Sequence, residues 1–198
     1  MPEAPYDDPY KWFVDWYEAA EAAAIKEFNA MVLSTVSENG EPSSRVVLLK
    51  EHDRDGFVFY TNYRSRKGLE LDATHEAALN FYWRSMDRQI RIAGPAERVA
   101  PEVSDAYFAT RPRGSKIGAW ASDQSDELER RQDLVHRVQQ FEDKFEDQEV
   151  PRPEHWGGYR VTPRRIEFWE AGAFRLHDRW EFARDKPDAD WTRRRLNP

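Results

Sequence analysis

The 198-residue chain contains no cysteine. Disulfides, thiolate nucleophiles and cysteine-ligated zinc or iron–sulfur centres are thereby excluded, and the cytoplasm is the expected compartment. No apolar run approaches the roughly 20 residues that span a bilayer, so no membrane partner is expected. The opening MPEAPYDDPY has neither the basic nor the apolar section of a secretion signal. A basic excess is missing too: 30 Lys and Arg face 37 Asp and Glu, for a net charge of −7, which argues against a nucleic-acid partner. Glycine is scarce at nine residues, and neither the dinucleotide fingerprint G-x-G-x-x-G nor the phosphate loop G-x-x-x-x-G-K occurs. The histidines, at 52, 75, 136, 155 and 177, lack metal-site spacing, and no serine sits in a G-x-S-x-G elbow. Metal and hydrolase chemistry have no motif to rest on.

Two basic clusters stand out from this acidic background, Arg64-Ser65-Arg66-Lys67 and Arg111-Pro112-Arg113-Gly114-Ser115-Lys116. Small anions are the natural ligands for them. Ser65 can cap a short helix through Asp72, which would put Arg66 and Lys67 in its first turn, where the helix dipole disfavours cations. The placement makes sense if the pair and the free N–H groups share an anion such as phosphate, and a plain surface turn is the other reading. A third cluster lies in IEFWEAGAFRLHDR, residues 166–179. Read as extended chain over Phe174 to Phe182, it puts Arg175, His177 and Arg179 on one face, opposite Leu176 and Asp178. Such a row repels itself unless an anion or an acid lies opposite, so a solvated face with Arg179 paired to an acid and a ligand face both stand.

The length fits one domain over residues 1–198, with 1–8 as a flexible N-terminus. Asp8-Pro9 starts a helix with an aromatic stripe of Trp12, Phe13, Trp16 and Tyr17. Three sequential antiparallel strands follow: Ala30 to Val36, Arg45 to Lys50 after the Asn39-Gly40 turn, and Phe57 to Thr61. Ala77 to Trp83 and Arg88 to Val99 are two more, the second alternating Gln89 and Arg91 with Ile90 and Ile92. Helices are expected from Pro101 to before Arg111-Pro112 and from Ser125 onward, the latter burying Leu134, Val138, Phe141 and Phe145, with a short helix or turn from Ser115 to Trp120. The remainder is β. Seven or eight strands, mostly sequential neighbours with helices between them, predict a closed or split antiparallel barrel, mainly β with flanking helices. Because the chain offers positioning groups without a nucleophile or metal, a cofactor is expected to carry the chemistry.

RVVLLK at 45–50, FYTNYRSRKG at 59–68, Arg88-Gln89, YFATRPRGSKIGAWASDQS at 107–125, WGGYR at 156–160, IEFW at 166–169, RLHDR at 175–179 and the terminal RRLNP together resemble the pyridoxamine (pyridoxine) 5′-phosphate oxidase family. The resemblance runs from about Pro9 to Pro198. It implies an FMN-binding split β-barrel working as a homodimer, with the flavin between subunits and residues 166–198 completing the active site. It places FMN contacts on Arg45, Val46, Val47, Leu48, Leu49, Lys50, Tyr60, Thr61, Arg66, Lys67, Gln89, Gln124, Ser125, Trp169 and Arg179. Substrate contacts fall on Lys50, Tyr107, Arg111, Ser115, Arg175 and His177, the last two also catalytic. The implied reaction is oxidation of pyridoxamine or pyridoxine 5′-phosphate to the aldehyde, with dioxygen as acceptor and hydrogen peroxide as by-product. A sister flavin oxidase of phenazine type and a non-catalytic flavin carrier or sensor are the alternatives.

Overall fold

Along β5 (Glu76–Trp83), Ala77, Leu79, Phe81 and Trp83 are buried while the residues between them face outward. The next strand, β6 (Arg88–Arg98), repeats the pattern with Ile90 and Ile92 inward, as a half-buried sheet requires. These strands belong to a computed structural model that describes residues 4–198. β6 pairs with β5 along one edge and forks along the other. Its first half takes β8 (Arg165–Glu170), and its end takes β7 (Trp156–Val161). The fork needs Gly94, where an added Cβ would lie 2.1 Å from the carbonyl oxygen of Thr162.

The main path through the sheet runs β10 (Thr192–Arg195), β9 (Asp178–Ala183), β8, β6, β5, β1 (Ala30–Val36) and β2 (Pro42–Leu48), every neighbour antiparallel. From the fork, β7 leads to β4 (Gly56–Asn62) and so to β3 (Glu51–Asp53). This is the expected antiparallel split barrel, with ten strands among the described residues rather than seven or eight. The added strands have a local cause. Arg45 to Lys50 is not one strand: β2 stops at Leu48, and Leu49 turns into the core with its N–H on the carbonyl of Asn29. Nor do the first three expected strands form one meander, because β4 pairs with β3 and β7 instead of extending the β1–β2 hairpin.

Helix α1 (Pro9–Ala22) begins as expected, Asp8 accepting from the N–H of Tyr10 at 2.9 Å. Its stripe closes the barrel: Trp12 stacks on Phe168 at 4.2 Å between ring centres and Phe13 meets Phe57 edge-on at 4.8 Å. Such pairs add roughly 0.5–1.5 kcal/mol each to the burial itself. The flexible leader expected at 1–8 lies partly outside the described residues, at 1–3. Within the described part, Ala4 and Tyr6 pack against the core and the Tyr6 hydroxyl donates to Asp15.

Helix α2 (Arg66–Thr74) follows β4, while α3 (Pro101–Thr110) and α4 (Arg113–Ala121) sit between β6 and β7. Helix α5 (Arg131–Lys144) starts six residues later than Ser125, whose left-handed backbone (φ 80°) turns the chain before the helix can begin. Its stripe is shallower than expected. Only Phe145, just past its end, is buried, in a satellite cluster with Ile117 and Val150 on which Val138 and Phe141 rest. Leu134 remains half-exposed. No helix among the described residues is long and apolar enough to cross a membrane.

Candidate functional site

The end of β2, the middle of β4, the start of α2 and the α3–α4 corner enclose a cleft of about 1030 Å³. Its lining includes Arg45, Val46, Val47, Leu48, Lys50, Tyr60, Thr61, Arg66, Lys67, Tyr107, Arg111, Ser115, Gln124 and Ser125. Residues spread over eighty positions thus converge on one concave surface. Leu49 does not join them, because its side chain points into the core and leaves only backbone on the cleft side.

One end of the cleft is the start of α2. Ser65 caps the helix, its Oγ accepting from the N–H of Gly68 as well as donating to the carbonyl of Asn62. Lys67 is only 8% exposed, and its Nζ donates to Thr61 Oγ1 at 3.2 Å, Ser65 Oγ at 3.0 Å and Gln124 Oε1 at 2.9 Å. All three acceptors are neutral. Burial, and then the neighbouring charge of Arg45, push the Lys67 pKa down to about 8, because desolvation and a like charge both disfavour the ammonium. Arg45 and Arg66 lie at the same end, each in contact with the carboxylate of Glu70.

The other end is aromatic and cationic. Tyr60 stacks on Tyr107 with ring centres 3.9 Å apart, and on Trp156 at 5.5 Å. The Tyr60 hydroxyl donates to Glu51 at 2.7 Å; burial first, and then this bond, raise its pKa. Arg111 lies over Trp156 at 4.4 Å. Its Nη1 is buried without a hydrogen-bond partner, and burial lowers its pKa. Lys50, Tyr107 and Ser115 share this end. Among the described residues no carboxylate forms an ion pair with Lys50, Lys67 or Arg111. For the buried Lys67 and the buried end of Arg111, an uncompensated charge is costly unless a ligand supplies the countercharge. No group of three or more His, Asp or Glu among the described residues could hold a metal ion.

The remaining predicted residues lie elsewhere. Gln89, Trp169 and Arg179 form one row across β6, β8 and β9 in direct register. Arg179 is held by buried Glu167 at 2.8 Å, the acid pairing weighed for it from sequence. The shared strand face expected for Arg175, His177 and Arg179 is not present. β9 begins only at Asp178, and Phe174 and Arg175 have positive φ (57° and 64°) in a one-turn 3-10 segment. Two left-handed residues abolish the alternation on which that reading depended. Gly172 makes the tight loop possible, since an added Cβ would lie 1.9 Å from the carbonyl oxygen of Leu176. Phe174 is 95% and Leu176 69% exposed, so the loop projects. His177 packs on Trp169 at 4.6 Å, and its Nδ1 accepts from the N–H of Gly172 at 3.2 Å. The neutral ring therefore carries its proton on Nε2, making it a donor rather than a ready base.

Sequence reasoning missed Trp156 as a wall of the cleft, along with Asn62, Thr110 and Ser122. For Trp156 the signal was available, an aromatic beside the Gly157-Gly158 pair that lets neighbouring side chains approach closely.

Comparison with known proteins agrees with this geometry. Residues 17–145 match the family model described as pyridoxamine 5′-phosphate oxidase, and residues 156–198 match that described as pyridoxine 5′-phosphate oxidase C-terminal dimerisation region. A pyridoxine/pyridoxamine 5′-phosphate oxidase of Rubrobacter xylanophilus is 53% identical over 191 residues, covering 96% of this chain and 87% of the relative. One from Synechocystis is 50% identical, covering 97% and 89%. Among solved structures, PhzG from Burkholderia lata 383 in complex with tetrahydrophenazine-1-carboxylic acid is similar with a TM-score of 0.92 and 34% identity, covering 100% of this chain and 97% of that one. On its sequence, its fold and the residues gathered in its cleft, the chain belongs to the pyridoxamine 5′-phosphate oxidase family.

Proposed function

We propose that the protein is an FMN-dependent oxidase that converts pyridoxamine 5′-phosphate and pyridoxine 5′-phosphate to pyridoxal 5′-phosphate in the cytoplasm. One observation carries the reading: a single cleft has a cationic group at each end, Lys67 at one and Lys50 with Arg111 at the other, with which no carboxylate among the described residues forms an ion pair. FMN and the vitamer each bring one phosphate. The residues fit both, since the unpartnered Nη1 of Arg111 and the wholly neutral hydrogen-bond acceptors of Lys67 leave charge for an anion to complete.

Arg45, Arg66, Lys67 and the start of α2 would hold the FMN phosphate, with Thr61, Gln124 and Ser125 beside it and Val46, Val47 and Leu48 as the apolar wall. When bound, FMN supplies a two-electron acceptor that dioxygen reoxidises to release hydrogen peroxide. Lys50, Tyr107, Arg111 and Ser115 bind the vitamer phosphate and fix the distance of its C4′ carbon from the cofactor. Holding two rings in reactive geometry contributes on the order of 7–11 kcal/mol. The amine substrate, one dioxygen and one water give aldehyde, ammonia and hydrogen peroxide; the alcohol gives aldehyde and hydrogen peroxide without water.

Arg175 and His177 do not line the cleft of their own chain, and the loop bearing them projects from it. We place that loop over the cleft of a second copy in a homodimer, with FMN at the interface and Gln89, Trp169 and Arg179 contributed by the partner. The match of residues 156–198 to a dimerisation region supports this arrangement. Arg175 then stabilises negative charge on the substrate, and His177 Nε2 donates a hydrogen bond that orients it. Likeness to PhzG favours a phenazine-type substrate as the second reading, against which stands the phosphate set at Lys50, Tyr107, Arg111 and Ser115.

Purified protein should be yellow and should form aldehyde and peroxide in equal amounts from pyridoxamine 5′-phosphate. Yellow protein that yields neither would overturn the enzyme reading in favour of a flavin carrier.

A further inference from the structure

Glu70 is only 6% exposed, among the described residues the one carboxylate paired with Arg45 and Arg66 at the phosphate end of the cleft, and it is absent from the cleft lining. Its Oε1 accepts from Arg66 Nε at 2.8 Å. Its Oε2 accepts from Thr35 Oγ1 at 2.5 Å and Ser43 Oγ at 2.6 Å, and lies 3.4 Å from Arg45 Nη2. The same two hydroxyl groups accept from Arg45, Thr35 from Nη1 and Ser43 from Nη2, each at 2.5 Å. An ionised carboxylate only accepts, so both hydroxyl protons must point at Glu70, which turns their lone pairs toward the guanidinium. The result is a closed ring of bonds from α2 through β1 and β2 that fixes Arg45 while the other oxygen fixes Arg66. Burial alone would raise the Glu70 pKa, but the bonds from Ser43, Thr35 and Arg66 and the charge of Arg45 outweigh it and hold it at about 2.

We infer that Glu70 is a positioning residue for the cofactor phosphate, setting the two arginines that meet it rather than touching it. The inference rests on the FMN reading above. Two opposed effects decide its sign. A carboxylate near a phosphate repels it, so on charge alone Glu70→Gln would tighten FMN. If orientation dominates, the same change loosens it, because an amide presents N–H groups to hydroxyls and guanidinium groups that need an acceptor.

Flavin-free wild type, Glu70→Gln and Glu70→Asp are titrated with FMN and with riboflavin, following quenching of flavin fluorescence. Riboflavin lacks the phosphate, so it reports everything except the phosphate contacts, those of the two arginines among them. Wild type should prefer FMN. Glu70→Gln should raise the FMN Kd about 10- to 100-fold, the range found for groups that orient metal ligands, and leave riboflavin nearly unchanged. Glu70→Asp, which keeps the charge, should recover part of the loss. An unchanged or lower FMN Kd overturns the inference, as does an equal loss for both flavins, which would mark a merely structural role. Wild type that binds neither flavin overturns the FMN reading itself, and this inference with it. Should Glu70→Gln fail to fold, Ser43→Ala cuts one link to Arg45 and keeps the carboxylate. It should show a smaller loss confined to FMN, and no loss there overturns the inference.

Discussion

Replacing Arg111 by Met should move stability and substrate binding in opposite directions. Met keeps the apolar stem that packs near Phe108 and Trp156 while removing the guanidinium. What goes is a buried donor without a partner, whose desolvation costs about 1–3 kcal/mol. Against this, the cation over the Trp156 ring is worth about 0.5–2 kcal/mol. The balance favours the variant by about 1 kcal/mol, which for a chain of this length raises Tm by about 2–4 °C. In the loaded site the same group makes charge-assisted bonds to phosphate, each worth about 1.5–3 kcal/mol. Losing one should raise KM for pyridoxamine 5′-phosphate about 10- to 150-fold with kcat largely kept, the mark of lost uniform binding. Thermal unfolding without substrate and steady-state kinetics read the two halves. A lower Tm with an unchanged KM would refute the reasoning, because Arg111 would then be a structural cation.

Two further outcomes follow from the charges. Since the Lys67 pKa is pushed down to about 8, chiefly by burial, flavin-free protein loses this proton near pH 8. The charged lysine's cost to folding is thus present below about pH 8 and is relieved as pH rises toward the ordinary lysine value. FMN favours the charged form, so its Kd should be flat between about pH 6.5 and pH 8, where the phosphate is already largely dianionic, and rise about tenfold per pH unit above it, while Lys67→Met shows weak binding without that bend; fluorescence titration across the range checks this. Arg175→Leu should lower kcat about 100-fold or more while flavin content stays at the wild-type level, because its proposed contact is with the substrate and not with FMN. Equal loss of flavin would contradict that.

Much of the architecture was readable because burial alternates so plainly, as in the inward Ile90 and Ile92 and the inward Leu79 and Phe81. The Ser65 cap and the Asp8-Pro9 start were equally legible, since capping depends on residues a few positions apart. The loop at 172–177 was not. A period-two reading assumes ordinary φ throughout, and two consecutive residues left of that range, neither of them glycine, leave no compositional trace. The start of α5 was misplaced for the same reason at Ser125. Leu49 was counted with its neighbours although the turn into β3 rotates it inward. Glu70 was not singled out from sequence, yet its place one turn after Arg66 was a usable sign of an ion pair.

The arrangement in which each cleft is closed by the loop of a second copy is tested most directly by mixed dimers. One inactive partner carries Lys50→Met with Arg111→Met, the other Arg175→Leu with His177→Leu. In a hybrid both defects fall in one site and leave the other intact, so random mixing should restore about a quarter of wild-type activity. If each loop instead served its own chain's cleft, every site would carry a defect and mixing would restore nothing.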